Sequence, residues 1–184
     1  MKRHDICKSV LVLGITSVLF VGSIFAQAED EEITFSERNL SGPRLGLTVI
    51  PRGQPVGKAL EQMGMGTTVS QFGWHFEHLV IPNGGGPAFA IQFIPLVGGV
   101  EYGKFIISST LALGVRLPNG IEFGMGPNIL SEQKLGTSTA LMMAVGKSFN
   151  YGSVRIPIDL VYVTNPNGGR FGIMFGYAIS RSSK

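Results

Sequence analysis

The chain has 184 residues, with 26 glycines, one cysteine, and 15 Lys and Arg against 12 Asp and Glu, a formal charge of +3. That length makes one domain, the small net charge gives no basic face for nucleic acid, and a lone cysteine allows neither a disulfide framework nor a cysteine metal site. The glycine content, with no helical period in the second half of the chain, points to an all-β fold without a cofactor.

Met1 to Lys8 is basic, Ser9 to Phe25 is uncharged and mostly apolar, and Ala26-Gln27-Ala28 has the small-x-small form of a signal-peptidase site. Residues 1–28 therefore read as a cleaved signal peptide, and the protein is expected to be exported. Cys7 precedes the apolar run, which excludes a lipoprotein, and cleavage removes that thiol. Lys2, Arg3, Lys8 and Asp5 lie in the same segment, so the chain beyond it carries 12 basic and 11 acidic residues. Residues 29–41 (EDEEITFSERNLS) read as a flexible acidic lead-in. The domain proper is 42–184.

Eight stretches then alternate with period two, near 44–50, 68–80, 88–94, 105–117, 121–128, 137–149, 154–163 and 170–180. The segment 51–67 reads as a long loop with about two helical turns from Val56 to Met63. In 68–80, Phe72, Trp74 and Phe76 alternate with His75 and Glu77, and in 88–94 Phe89 and Phe93 alternate with Ala90 and Gln92. Residues 95–103 read as irregular. The pair of strands from Phe105 to Asn128 is the most informative stretch. A two-residue loop at Asn119-Gly120 would oppose Leu117 to Glu122, whereas the three-residue loop Pro118-Asn119-Gly120 opposes Leu117 to Ile121 and Arg116 to Glu122. Like faces then meet like, with Gly120 supplying the positive φ of such a loop. A polar loop is expected at 129–136, and a four-residue turn at Asn150 to Ser153 opposes Phe149 to Val154, with a bulge or gap at Pro157. The last strand alternates Phe171, Phe175 and Tyr177 with Arg170 and glycines.

One face of nearly every strand is bulky and apolar and the other is small or polar, which is the pattern of a membrane β-barrel. The expected lipid-facing aromatics are Phe72, Trp74, Phe76, Phe89, Phe93, Phe171, Phe175 and Tyr177. The expected interior polar network is Arg44, His75, Glu77, Arg116, Glu122, Arg155, Asp159 and Arg170. Eight strands leave a bore wide enough only for side chains, so these charges are expected to pair and plug it. Short turns after the second, fourth and sixth strands, with longer loops after the others, match the outer-membrane pattern. Loops 51–67 and 129–136 are then the surfaces for an extracellular ligand. Alternation is equally compatible with an inverted, soluble periplasmic or secreted barrel that binds an apolar ligand among its bulky side chains. A third reading is a membrane lipid hydrolase with His78 as base and Ser109 or Ser70 as nucleophile, although neither serine lies in a recognisable motif. His75, Glu77 and His78 do not form a metal set, because in a strand His78 points away from the other two.

From about residue 42 to 180 this pattern resembles the small outer-membrane β-barrels of diderm bacteria. SQFGWHFE and NGIEFGMGPN are similar to stretches of uncharacterised exported barrel proteins. The resemblance implies an eight-stranded up-and-down barrel, outer-membrane lipid and the barrel-assembly machinery as partners, a structural or interaction role through surface loops, and no known activity. Closing strands of that family usually end on an aromatic residue, whereas this chain runs on through Ser180-Arg181-Ser182-Ser183-Lys184.

Overall fold

The computed structural model describes residues 34–132, 136–152 and 154–182. The expected signal peptide and residues 29–33 lie outside them. The described residues form β1 (Phe35–Val49), α1 (Pro55–Gln62), β2 (Thr68–Pro82), β3 (Ala88–Gly98), a 3-10 turn (Val100–Tyr102), β4 (Ile106–Arg116), β5 (Ile121–Glu132), β6 (Gly136–Tyr151), β7 (Val154–Thr164), β8 (Arg170–Gly176) and β9 (Ala178–Ser182). Each strand pairs antiparallel with its sequence neighbour, β8 and β9 together make the last stave, and β1 pairs with both that stave and β2. The sheet is therefore a closed, eight-staved, up-and-down barrel with no free edge.

The register sets the stagger of the wall. Partners can be followed from Arg38 to Leu79, Ala90, Gly114, Gly124, Ala144, Val161 and Gly172. The last partner, Thr48, is back on β1 ten residues beyond the start. A stagger of this size tilts the strands by about 40° to the barrel axis.

Alternation decides what each face meets. On β4, Leu111 and Leu113 are both 53% exposed on the outer wall while Ala112, between them, is 0% exposed in the bore. The same holds around the barrel, with Leu45, Phe89, Phe123, Leu160 and Phe175 all exposed and directed outward. A continuous belt of this kind has no counterpart on a soluble monomer, whose apolar patches stay within a few hundred Å². The barrel is a membrane-spanning one, and the inverted soluble arrangement is excluded because the bulky set is outside.

The turn after β4 closes as the alternation requires. Leu117 N–H donates to Ile121 O at 2.8 Å, Arg116 opposes Glu122, and Gly120 sits at φ +85°.

Elsewhere the boundaries differ from the sequence reading, each for a physical reason. Residues 35–41 are not lead-in but the start of β1, paired from Phe35↔Pro82 to Ser41↔Phe76; their backbone ladder holds them although their side chains, exposed from Phe35 to Asn39, carry no alternation. Pro95 does not end β3, which runs on to Gly98; the missing N–H interrupts pairing with β2 opposite Trp74 and His75, while the ladder to β4 continues through Pro95↔Ser109. Residues 129–132 extend β5 and shrink the expected 129–136 loop to 133–135, outside the described residues. The β6–β7 turn is also shorter than expected, so that Tyr151 opposes Val154 and Phe149 opposes Ile156. This slip of two residues keeps every side chain on its face. Pro157 causes no bulge against β6, where it opposes Ser148. Its effect appears on the other side, where Pro157 on β7 and Pro43 on β1 flank the last stave near Tyr177, and that stave breaks into β8 and β9.

The two ends of the bore are closed differently. At one end α1 lies across the mouth, started by Pro55 and stopped at Gly64 with φ +73°. Leu60 and Met65 from this segment are buried against Ile50, Val69 and Ile106. At the other end Leu40, Leu79, Ala88, Ala90 and Ala178 form a small apolar floor.

Candidate functional site

The interior between cap and floor is where polar chemistry is concentrated, and small residues make the room for it. Gly146 on β6 leaves space that a Cβ would take from the Asp159 Oδ1 atom on β7. Gly114 on β4 packs instead against the neighbouring strand, where a Cβ would lie 2.6 Å from Phe123 O, and a Cβ at Gly124 on β5 would lie 3.5 Å from Gln92 Oε1.

Arg116, 7% exposed, is the centre of the network. Its two terminal nitrogens reach Glu77, with Nη1 donating to Oε1 and Nη2 to Oε2 at 2.8 Å. Its Nε donates to Glu122 Oε2 at 3.0 Å, and Nη2 donates to the same oxygen. One guanidinium thus bridges carboxylates from β2 and β5 across the bore, in the planar geometry that suits Arg and not Lys. The remaining lone pairs are met as well. Gln92 Nε2 donates to Glu77 Oε2 at 2.9 Å, and Ser148 Oγ donates to Glu122 Oε1 at 2.9 Å. Partial satisfaction of such a network is worse than none, which explains why neutral donors accompany the charges.

Above this girdle a second group lies closer to the cap. Arg44 Nη2 donates to His75 Nδ1 at 2.5 Å. Because Arg only donates, Nδ1 is the acceptor and the ring proton sits on Nε2, 3.7 Å from Glu77 Oε2. Arg170 Nη2 donates to Asn128 Oδ1 at 2.5 Å, and Asn128 Nδ2 donates to Ser108 Oγ and Thr110 Oγ1, each at 2.8 Å. These groups, with Gln71, Thr48 and Asp159, surround a cavity of about 70 Å³.

Of the eight residues expected in the interior, Glu77, Arg116 and Glu122 meet directly and His75 joins Arg44. Arg170 reaches Asn128 instead of a carboxylate, and Arg155 donates to Asn150 Oδ1 at 3.0 Å near the turn end. Ser148, Gln92, Asn128, Ser108 and Thr110 were not in the expected set. All five lie on inward positions of strands that the alternation identified, and that was the available signal. The eight aromatics Phe72, Trp74, Phe76, Phe89, Phe93, Phe171, Phe175 and Tyr177 all stand exposed on the outer wall.

The hydrolase residues are not assembled. His78 Nδ1 donates to Asn39 Oδ1 at 2.8 Å, and its Nε2 lies 3.8 Å from Glu37 Oε2. Ser70 is at the other end of the same strand, donating from Oγ to Glu101 Oε2 at 2.6 Å, and Ser109 lies two strands away beside Pro95. Among the described residues there is no group of three or more His, Cys, Asp or Glu side chains placed to hold a metal ion.

No protein-family model matches the chain, and no curated protein matches it. Among solved structures it is similar in fold to Ail, the attachment invasion locus protein of Yersinia pestis, at 13% identity over 79% of this chain and 99% of that one, with a TM-score of 0.48. It is likewise similar to Neisserial surface protein A, at 11% identity over 79% of this chain and 98% of that one, with a TM-score of 0.47. A third structure, Ail in complex with the heparin analogue sucrose octasulfate, aligns at 13% identity over 79% of this chain and 99% of that one, with a TM-score of 0.44.

Proposed function

We propose that the chain is an outer-membrane β-barrel whose bore does not conduct, and that it serves a structural or interaction role through the surface it presents outside the membrane. The observation that carries this reading is the Glu77–Arg116–Glu122 bridge, which joins β2, β4 and β5 across the interior beneath a mouth covered by α1. An ion crossing the bore has to break a desolvated, multiply hydrogen-bonded charge group and displace an apolar cap. Sidedness follows from the connections. The cap end carries α1 and the 3-10 turn, the other end the tight turn at 117–120, and outer-membrane barrels put their longer loops outside.

On this reading residues 1–28 direct export, the barrel-assembly machinery receives the β8–β9 stave, and outer-membrane lipid surrounds the apolar belt. The outward surface for a ligand is then the segment 51–67, where Arg52 and Glu61 are exposed and 4.0 Å apart. A catalytic role finds no support in the placement of His78, Ser70 and Ser109. Purified, folded protein in planar bilayers is expected to show no stable open channel. Large, long-lived conductance would overturn the closed bore, and release of the protein by osmotic shock without detergent would overturn the membrane location.

A further inference from the structure

We propose that the outer wall of the β6–β7 hairpin holds one anionic glycerophospholipid, with its phosphate on Lys147 and an acyl chain in a groove further up the wall. The inference rests on the membrane-spanning barrel and the sidedness proposed above, which make the leaflet at Lys147 the periplasmic one.

Lys147 is a cation where the alternation of β6 places lipid. It stands exposed on an outward position, between Val145 and Phe149 along the strand and between Ile121 and Ile158 across it. None of the ion pairs among the described residues involves it. On an apolar wall the flexible stem of a lysine carries the charged head toward the nearest polar layer. The ammonium accordingly lies 5.7 Å from the centre of the Phe149 ring, two residues nearer the turn, and Tyr151 ends the strand there at 69% exposure. A lipid phosphate supplies the counter-charge that the protein does not, and an ammonium meets a phosphate oxygen as a point charge. A zwitterionic headgroup brings its own ammonium to compete with Lys147, so a net anionic headgroup is the better fit.

The second observation lies on the same wall. A groove of about 330 Å³ is bounded by Met143, Val145, Leu160, Tyr162 and Phe171, all of them exposed or half-buried and apolar or aromatic. Tyr162 and Phe171 pack along one rim with ring centres 4.7 Å apart. From Lys147 to Met143 is four residues of strand, ~13 Å, which is inside the ~15 Å depth of one leaflet. One lipid can therefore place its phosphate at Lys147 and the far part of a chain in the groove. A second copy of the chain is a poorer occupant, because docking about a two-fold axis sets Lys147 against the same basic and apolar patch with no carboxylate to meet it.

The test is native mass spectrometry of the folded, full-length exported protein in detergent micelles, supplied with equal amounts of phosphatidylglycerol and phosphatidylcholine, and separately with lipid A. One phosphatidylglycerol retained per chain is expected, with phosphatidylcholine weaker by about fivefold or more. Lys147→Gln is expected to abolish that preference and Lys147→Arg to keep it. Val145→Trp, which fills the groove, is expected to lower retention of both lipids by about threefold or more and to leave the preference in place. Lys58→Gln, exposed on α1 at the other end, is expected to change nothing. Heat-modifiable gel mobility reports folding for each variant, and if Val145→Trp does not fold, Met143→Trp carries the same expectation. Equal retention of the two lipids by wild type, an unchanged preference in Lys147→Gln, or unchanged retention in the groove variant overturns the proposal. Tighter retention of lipid A than of phosphatidylglycerol, or loss of the preference in Lys58→Gln, places the phosphate partner elsewhere and also overturns it. Those outcomes leave the membrane barrel standing, whereas folded protein that stays dispersed without detergent and retains neither lipid removes the membrane reading and the proposal together.

Discussion

The two faces of β4 are made by one run of eleven residues, yet they are specified in different ways. Outside, Ile107, Leu111, Leu113 and Val115 stand at similar exposure with no particular partner, because fluid acyl chains adapt to whatever apolar shape they meet. Inside, each residue answers to another across the bore. Arg116 needs Glu77 and Glu122, Glu122 needs Ser148, and Gly146 has to be glycine because Asp159 lies over it. The outer wall is therefore constrained by composition and the inner wall by individual fit. Substitutions on the two faces are expected to fail for different reasons.

The largest effect is expected from Arg116→Gln. It leaves two buried carboxylates facing each other across the bore, and breaking a buried charge group by removing one partner costs about 3–5 kcal/mol. Unfolding by urea in lipid vesicles measures it. Glu122→Gln is expected to cost less, since Glu77 still pairs with Arg116, and the triple change of Glu77, Arg116 and Glu122 to Gln is expected to recover most of the loss. Simple additivity across that series would mean that the three side chains do not meet.

On the outer face only charge is expected to matter. Leu113→Arg, 53% exposed at mid-strand, is expected to cost about 2–4 kcal/mol, as arginine does near the bilayer midplane. Reduced insertion and lost heat-modifiable mobility would report it. Next comes a single methyl group inside. In Gly146→Ala the new Cβ overlaps Asp159 Oδ1 and lies 2.7 Å from Ile158 O, an overpacking expected to cost about 1–3 kcal/mol in the same unfolding assay. The smallest effect is expected for Leu113→Phe, a larger change in volume on the outer wall, which should stay within about 0.5 kcal/mol. If Leu113→Phe cost more than Gly146→Ala, the contrast between adaptable outside and fitted inside would be lost.

That contrast also explains which parts of the molecule were legible in the sequence. Faces were readable because alternation needs no knowledge of neighbours, and the β4–β5 register was readable because Asn119-Gly120 allowed one loop length that joined like faces. The girdle was readable as a set of inward charges but not as a geometry, since Arg116 reaches Glu77 across β3, and that distance depends on two registers at once. The β6–β7 slip escaped because a shift of two residues leaves all faces unchanged. The start of β1 escaped because residues 35–39, exposed and paired through their backbone, show no period. The neutral members of the network, Ser148, Gln92 and Asn128, carry no charge to single them out. Each became visible only when its partner's position was known.

Trp74 gives the most direct test of which face meets lipid. It is the one tryptophan in the chain, and it stands 44% exposed on the outer face of β2, next to His75, which points into the bore. Its fluorescence should be measured in vesicles whose lipids carry bromine on their acyl chains, and again with acrylamide in the aqueous phase. Strong quenching by the brominated lipids and little by acrylamide is the expected result. Fluorescence indifferent to the brominated lipids but quenched by acrylamide would put Trp74 in water, contradicting both the outward assignment and the membrane-spanning barrel built on it.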